Sequence, residues 1–391
     1  MNYILFDGPF RDNLLPFTYT RPLADIRVGI LTLREKWELF LKTKTSSLTE
    51  HYLSEKFPLV TGETNVMIHS AFGPNTPLIK RVKALKKGQA IMSGDQVVAY
   101  VTENPKKRFE VSNYDVVEFK EPLLKIDNTW DIFVKNGVAI KEDFDLLTKG
   151  KTSEPIPESN NIIGAENIFI EPGAKLEFTT INASTGPVYI GKGAEIMEGS
   201  IIRGPLALCE HATLKLGSKI YGPTTIGPHS KVGGEVNNCV LFGYSNKGHD
   251  GFLGNSVIGE WCNLGADTNT SNLKNNYAPV RLWDYKTQSF AKTGLQFCGL
   301  MMGDHSKCGI NTMFNTGTVV GVSSNIYGSG FPRNFVPSFS WGGSSGFTTY
   351  LTKKAFEVCQ VVMARRNVEF TDQDRAILNH IFEVTSEYRR G

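Results

Sequence analysis

Aliphatic side chains recur every six residues through the second half of this 391-residue chain. Ile190, Ile196, Ile202, Leu208, Leu214, Ile220, Ile226 and Val232 share one phase. After a break the beat returns at Phe252, Ile258 and Leu264, then at Met302, Cys308, Phe314, Val320 and Ile326. Apolar residues are 40% of the chain, so composition alone does not produce eight consecutive matches. A helix repeats its buried face at about 3.6 residues and a plain strand at about 2, and neither fits. The period is that of a hexapeptide β-solenoid, in which short strands alternate with turns and three strands make a coil. Each beat residue then points inward and stacks on its equivalent one coil away. Burying each contributes roughly 1.5–3 kcal/mol. Several beats are followed by glycine (Gly191, Gly227, Gly233, Gly259, Gly265, Gly303, Gly309, Gly321), the residue that best tolerates a tight corner.

The beat lapses between Leu264 and Met302, where residues 267–299 are polar and irregular. In a stacked coil such an insertion is expected to leave as a projecting loop, a common place for function. Residues 1–150 read as an α/β domain. "YILF" is a first strand, and "GILTLREKWELFLK" a helix with Ile30, Leu33, Trp37 and Leu41 on one face. "NVMIHSAF" reads as a strand, "PLIKRVKAL" as a helix, and "QAIMSGDQVVAYV" as paired strands about Gly94-Asp95. Residues 151–160 have linker composition, 161–345 hold the solenoid, and 346–391 form a C-terminal helical segment. There Thr371 and Asp374 have capping-box spacing. These helices are expected to cover the solenoid's open end or a neighbouring subunit.

Forty-two basic against 39 acidic residues, with no basic cluster, argue against nucleic acid or an anionic membrane as partner. No run approaches the ~18 apolar residues of a membrane helix. The six cysteines are dispersed without a CxxC pair, which fits reduced thiols rather than a disulfide framework or zinc site. With no signal peptide at the N-terminus, the expectation is a soluble cytoplasmic protein.

One histidine stands out. His249, after Lys247 and Gly248, sits where the beat is broken and just before the insertion. A lone histidine at a turn is ordinarily structural. Here its position at a register break makes it a candidate general base, since its unperturbed pKa of about 6.5 suits proton transfer near neutrality. Asp250 beside it is a candidate orienting group.

The stretch "GHDGFLGNSVIGEWCNLGADTNTSNLKNN" resembles the active-site region of the acetyltransferase domain of bacterial N-acetylglucosamine-1-phosphate uridylyltransferases. That resemblance implies a left-handed parallel β-helix working as a homotrimer, with acetyl-CoA as co-substrate bound between subunits. By residue, it places His249 as base toward a sugar amine, and Asn263 and Asn272 on substrate-binding asparagines. It places Gly265 and Ala266 beside acetyl-CoA, where their backbone N–H groups are candidate oxyanion donors. Lys215, Lys219 and Lys247 are candidate sugar-phosphate contacts. Two departures bear on the substrate: the family's tyrosine three residues after the histidine is Phe252, and its second glycine of Gly-Ala-Gly-Thr is Asp267.

"NLLPFTYTRPLADIRVGILTLREKW" resembles, more loosely, the signature segment of sugar-phosphate nucleotidyltransferases. The resemblance implies phosphate contacts from Arg11, Arg21 and Arg27, and Mg2+ held by Asp95 if this domain is active. The preceding loop "FDGPFRDN" has one glycine, and Leu23 replaces the family's lysine. Three functions remain open on the sequence. The first is an acetyl-CoA-dependent acyltransferase of a sugar phosphate or nucleotide sugar, fused to a divergent nucleotidyltransferase domain. The second is an active nucleotidyltransferase with a structural solenoid, and the third a non-catalytic sugar-nucleotide-binding or assembly protein.

Overall fold

The computed structural model describes residues 1–389. Its N-terminal domain is built on a six-stranded sheet: β1 (Asn2–Phe6), β2 (Ser46–Leu48), β3 (Asn65–His69), β4 (Gln89–Ser93), β5 (Gln96–Thr102) and β6 (Asp115–Glu118), in the order β2-β1-β3-β5-β4-β6. All pairs are parallel except those made by β5. β4 and β5 form the hairpin read from the sequence, with Gly94-Asp95 at its tip. Helix α1 (Leu33–Leu41) starts later than its apolar spacing suggested, because Thr32 takes an extended conformation and closes a capping box with Glu35. Ile30 therefore precedes the helix and packs instead on the solenoid side, against Tyr189 and Ala207. Three more helices, α2 (Thr76–Ala84), α3 (Asp131–Val134) and α4 (Asn136–Thr148), complete the domain.

From Asn161 to Val336 the chain winds as a parallel β-solenoid with three faces. The first face holds six strands, from Asn161–Ile163 to Phe252–Gly254, and the second nine, from Ile168–Ile170 to Phe335–Val336. The third starts at Lys175–Leu176 and ends in an antiparallel hairpin, Ser340–Gly343 with Gly346–Thr349. The beat residues are the interior except Phe252, whose inward place is taken by Leu253; Ile190, Leu208, Ile226, Ile258, Met302 and Val320 stack with Leu241 on the second face, all buried. The interruption of the beat after Val232 has a plain cause: two coils are shortened at their corners, so the inward positions continue in space while the count in sequence slips.

The outward side chains of the second face are also mostly apolar, Thr225 excepted, and this face is covered along its length. α4 and the Ile30 segment cover Phe169, Tyr189 and Ala207. Further along, Val240, Phe242, Val257, Met301 and Val319 join a core shared with the N-terminal domain and the C-terminal helices. Phe17 meets Phe242 ring to ring at 5.2 Å, and the Thr225 hydroxyl donates to the Gly29 carbonyl at 2.9 Å. The two halves are thus one packed body.

Two expectations are corrected here. Residues 267–299 do not project freely. After Asn269–Thr270 the chain forms a hairpin, Arg281–Asp284 with Ser289–Lys292, that folds back over the solenoid. Val280, Leu282, Tyr285 and Cys298 are buried in the shared core, and Trp283 stacks on Phe335 at 4.2 Å. Its apolar residues, spaced irregularly among polar ones, gave no periodic signal. Helices α5 (Thr352–Ala364) and α6 (Asp372–Val384), the latter with the Thr371–Asp374 capping box, do not cap the open end either. They wedge between the N-terminal domain and the solenoid, where Lys56 pairs with Asp374 at 2.6 Å and Tyr52 stacks on His380 at 4.0 Å. The final hairpin of the third face closes the end instead. All six cysteines are buried free thiols, and among the described residues no helix is long and apolar enough to cross a membrane.

Candidate functional site

His249 lies on the corner between the third and first faces, between strands Asn246–Lys247 and Phe252–Gly254. Corners along this edge differ in length. The turn joining Leu214 to Lys219 and the turn joining Lys247 to Phe252 each have four residues, but between Val232 and Glu235 there are only Gly233 and Gly234. The two-glycine corner lets its neighbours close over it. A Cβ on Gly233 would stand 2.7 Å from the Gly248 carbonyl oxygen and 3.2 Å from the Lys215 Cβ. A Cβ on Gly234 would stand 2.9 Å from the His249 carbonyl oxygen. The short corner thus brings the Lys215 turn and the His249 turn together across one coil. On the other side the Asp267 N–H donates to the Asp250 carbonyl at 3.1 Å, and Gly251 lies so close to Thr268 that its Cβ would be 2.2 Å from that carbonyl oxygen. Backbone contacts hold the His249 corner from both sides while the imidazole itself is exposed.

The other residues singled out from the sequence fall into three groups. Lys215 and Lys219 lie beside this corner, Lys219 exposed and Lys215 half-buried. Asn263 accepts from the Asn246 side-chain amide at 2.9 Å, one coil from the histidine, and Asn272 donates to Asn255 Oδ1 at 2.8 Å. The Phe252 ring and the Asn272 amide both pack over Gly254, whose Cβ would meet them at 2.5 and 2.6 Å. Asn263 thus lies on the third face before the His249 edge, whereas Asn272 lies across the first face from His249, at the corner that leads to the second face. The Gly265 N–H donates to the Cys308 carbonyl at 3.1 Å, so of the two candidate oxyanion donors only the Ala266 N–H is outside the sheet ladder. No hydrogen bond joins Asp250 to the imidazole among the described residues.

Lys247 departs from its expected role as a phosphate contact. Its side chain is 1% exposed and turned inward, where the ammonium donates to the Gly233 carbonyl at 2.9 Å and the His249 carbonyl at 2.8 Å. Loss of hydration pushes its pKa down to about 8.

The N-terminal residues give a different picture. Arg11, Arg21 and Arg27 are all buried and committed to protein partners, which corrects their reading as free phosphate contacts. Arg11 donates to the Thr18 carbonyl and the Tyr52 hydroxyl, and Arg27 to the Phe242 carbonyl at 3.0 Å. Arg21 crosses to the solenoid, bonded to Asp304 and 3.3 Å from Glu260. In an open α/β sheet, ligands enter where the strand order reverses, at the carboxyl ends of the strands. Here that point lies between β1 and β3, and it is filled. His69 packs among Phe6, Phe10 and Phe72, and a Cβ on Gly8 would fall 2.2 Å from its Nε2. Burial holds that imidazole neutral, its pKa lowered to about 4. Asp95 is exposed at its hairpin tip, and among the described residues no three His, Cys, Asp or Glu side chains are grouped to hold a metal ion. The residues present do not fit Mg2+.

Two features escaped the sequence reading. His211, His229, Tyr244, Trp261 and His305 form a stacked column along another corner, with centroid spacings of 5.2, 4.8, 4.2 and 6.3 Å. All five sit at left-handed corner positions with φ between 53° and 61°. The spacing of the first four, roughly one coil, was the available signal, hidden because their side chains differ and because the 267–299 insertion separates Trp261 from His305. The column ends at a cleft of about 500 Å³ between the N-terminal domain, the solenoid and α6, lined by Arg34, Lys56, Glu260, Trp261 and Asp374 among others.

Residues 3–152 match the family model described as sugar nucleotidyl transferase. The bifunctional protein GlmU of Methanocaldococcus jannaschii is 26% identical over 244 residues, 62% of this chain and 51% of that protein. A bifunctional sugar-1-phosphate nucleotidylyltransferase/acetyltransferase of Sulfurisphaera tokodaii is 27% identical over 215 residues, 54% of this chain and 46% of that one. The uncharacterized acetyltransferase YaiX of Escherichia coli is 26% identical over 148 residues, 37% of this chain and 64% of that protein. The chain spans about half the length of the bifunctional relatives it matches. An α/β domain that matches the sugar nucleotidyl transferase model thus precedes a hexapeptide solenoid, and in this order of parts the chain is similar to the bifunctional sugar-1-phosphate nucleotidylyltransferase/acetyltransferases.

Proposed function

We propose that the protein is an acyl-CoA-dependent acyltransferase of a sugar phosphate or nucleotide sugar, with acetyl-CoA as the donor and His249 as the general base. The observation that carries this reading is the His249 corner: an exposed imidazole on a turn fixed from both sides by backbone contacts, next to Lys215 and Lys219. The names of the relatives, two of them bifunctional enzymes and one an acetyltransferase, support it.

In the reaction an acceptor amine attacks the thioester carbonyl. The imidazole takes the amine proton as the C–N bond forms, and the tetrahedral oxyanion is met by the Ala266 N–H. The C–S bond then breaks, and the thiolate leaves as the free thiol with the proton returned by the imidazolium. General-base action of this kind is worth typically 10²–10⁴ in rate, and a rigid corner adds by fixing the base relative to the bound acceptor. Lys215 and Lys219 attract the acceptor's phosphate, and Asn263 and Asn272 bond its hydroxyls. Gly265 and Ala266 line the acyl-CoA side.

The site faces outward; the first face that continues from its corner carries exposed Ile163 and Ile201, and the corners of the same edge carry exposed Phe178 and Leu216. A homotrimer that covers these and closes the site between subunits is part of this reading. The N-terminal domain serves as a docked scaffold or binding domain, because its strand-reversal crevice is occupied by the His69 cluster and its arginines are internally paired. The test is thiol release from acetyl-CoA in the presence of a panel of amino-sugar phosphates and amino-sugar nucleotides. Acceptor-dependent release is expected. Absence of release with every acceptor, together with no thermal stabilisation by acetyl-CoA, would remove the reading. Pyrophosphate release from a nucleoside triphosphate and a sugar 1-phosphate would favour nucleotidyl transfer instead.

A further inference from the structure

The inward column of the third face is apolar with one charged member. Through the strand register it runs Leu176, Ile196, Leu214, Val232, Lys247, Leu264, Cys308, Ile326. A leucine at the fifth position would continue the column, and burying an ammonium there is unfavourable unless its protons are bonded. Two of the three N–H donors go to the carbonyls of Gly233 and His249. One of these belongs to the candidate base itself, and the other to the shortened corner over which that base sits. The charged groups nearest the ammonium are the Asp250 and Asp267 carboxylates, with the Cys239 and Cys308 thiols on the interior side.

We propose that Lys247 is a positioning residue for His249, an internal ammonium that ties the histidine's own carbonyl to the two-glycine corner beneath and so fixes where the imidazole stands. This rests on the acyltransferase reading for its consequence, but not for its geometry. Of the corner's two exposed residues, His249 and Asp250, the ammonium bonds the backbone of the one that carries the candidate base. The bond is also specific in direction: it fixes the His249 peptide while leaving the imidazole free to face an acceptor. Removing the ammonium leaves two carbonyls without this donor and frees the His249 peptide within a corner whose ends stay held by the Lys247, Asp250 and Gly251 backbone bonds.

The experiment compares wild type, Lys247→Met and Lys247→Gln, each with 13C,15N-labelled histidine, the His249 signal being assigned with His249→Asn. Methionine matches the length without a donor, whereas the glutamine amide keeps two donors. The expected result is a displaced or broadened His249 ring signal in Lys247→Met, returning toward the wild-type position in Lys247→Gln, with the remaining histidines unmoved. Thiol release from acetyl-CoA should fall about 10-fold or more in kcat, with KM for acetyl-CoA within about 3-fold. A folded Lys247→Met whose His249 signal superimposes on wild type overturns the proposal. If Lys247→Met does not fold, the wild-type His249 signal is followed from about pH 7 to 10, where a second inflection as the ammonium deprotonates supports the tie and its absence overturns it. Should wild type release no thiol, the acyltransferase reading fails while the ring signal still decides whether Lys247 positions His249.

Discussion

Replacing Lys247 by methionine should change the pH dependence of folding in a window set by the buried ammonium. The folded-state pKa is about 8 and the unfolded value 10.5, lowered because the coil strips the ammonium of water. Below about pH 8 both states hold the proton, and the folded state carries the full desolvation cost. Between about 8 and 10.5 the folded chain has released the proton while the unfolded chain retains it. The unfolded state binds more protons there, so stability rises with pH. The shift of roughly 2.5 pH units corresponds to about 3 kcal/mol, at about 1.4 kcal/mol per unit. Other tyrosine and cysteine side chains titrate in the same window, so the informative quantity is the difference between wild type and Lys247→Met. Urea unfolding at one chain concentration, repeated from about pH 7 to 10.5, should give a wild-type advantage growing by about 2–3 kcal/mol. Parallel curves for the two proteins would refute the enclosed ammonium and its bonds to the Gly233 and His249 carbonyls.

Other outcomes follow from the same contacts. Gly233→Ala puts a methyl 2.7 Å from the Gly248 carbonyl, which is backbone and cannot swing aside, so we expect a loss of about 1–3 kcal/mol and a disturbed His249 corner, read by urea unfolding and by the His249 ring signal. Asp304→Ala leaves the Arg21 guanidinium buried without its main partner, and should cost about 3–5 kcal/mol, seen as a lowered melting temperature with earlier proteolysis between the N-terminal domain and the solenoid. Phe17→Ala removes a ring packed on Phe242 in the shared core and should cost about 3–5 kcal/mol, whereas the same change at exposed Phe178 should leave monomer stability within about 0.5 kcal/mol and reduce the oligomer mass measured by light scattering.

The solenoid was legible because its interior residues repeat at a fixed interval, and neither a helix nor a sandwich strand holds one six-residue phase from Ile190 to Val232. The hairpin at 281–292 and the wedge formed by α5 and α6 were placed wrongly, since what they bury is the outer side of the second face. That side shows no six-residue beat: Tyr189, Ala207, Thr225, Val240 and Met301 share a face without sharing a chemical type. His249 was legible as a departure from the beat. The role of Lys247 was not, because a lysine next to a histidine reads as surface charge. Its register opposite Val232 puts it on an inward position, and the Gly233 carbonyl of the shortened corner receives its ammonium. The three arginines illustrate the converse. Their sequence context pointed to phosphates, but Arg11, Arg21 and Arg27 are bonded to Thr18, Asp304 and Phe242, contacts that cross up to 283 residues of chain.

The central claim is that His249 is the base of an acyl transfer on the solenoid's edge. Its most direct test is the acceptor-dependent rate of thiol release from acetyl-CoA by wild type and His249→Ala, with acetyl-CoA binding to each measured by thermal stabilisation. The account predicts a rate lower by about 10²–10⁴ with binding of acetyl-CoA retained. Transfer by His249→Ala at the wild-type rate would contradict it.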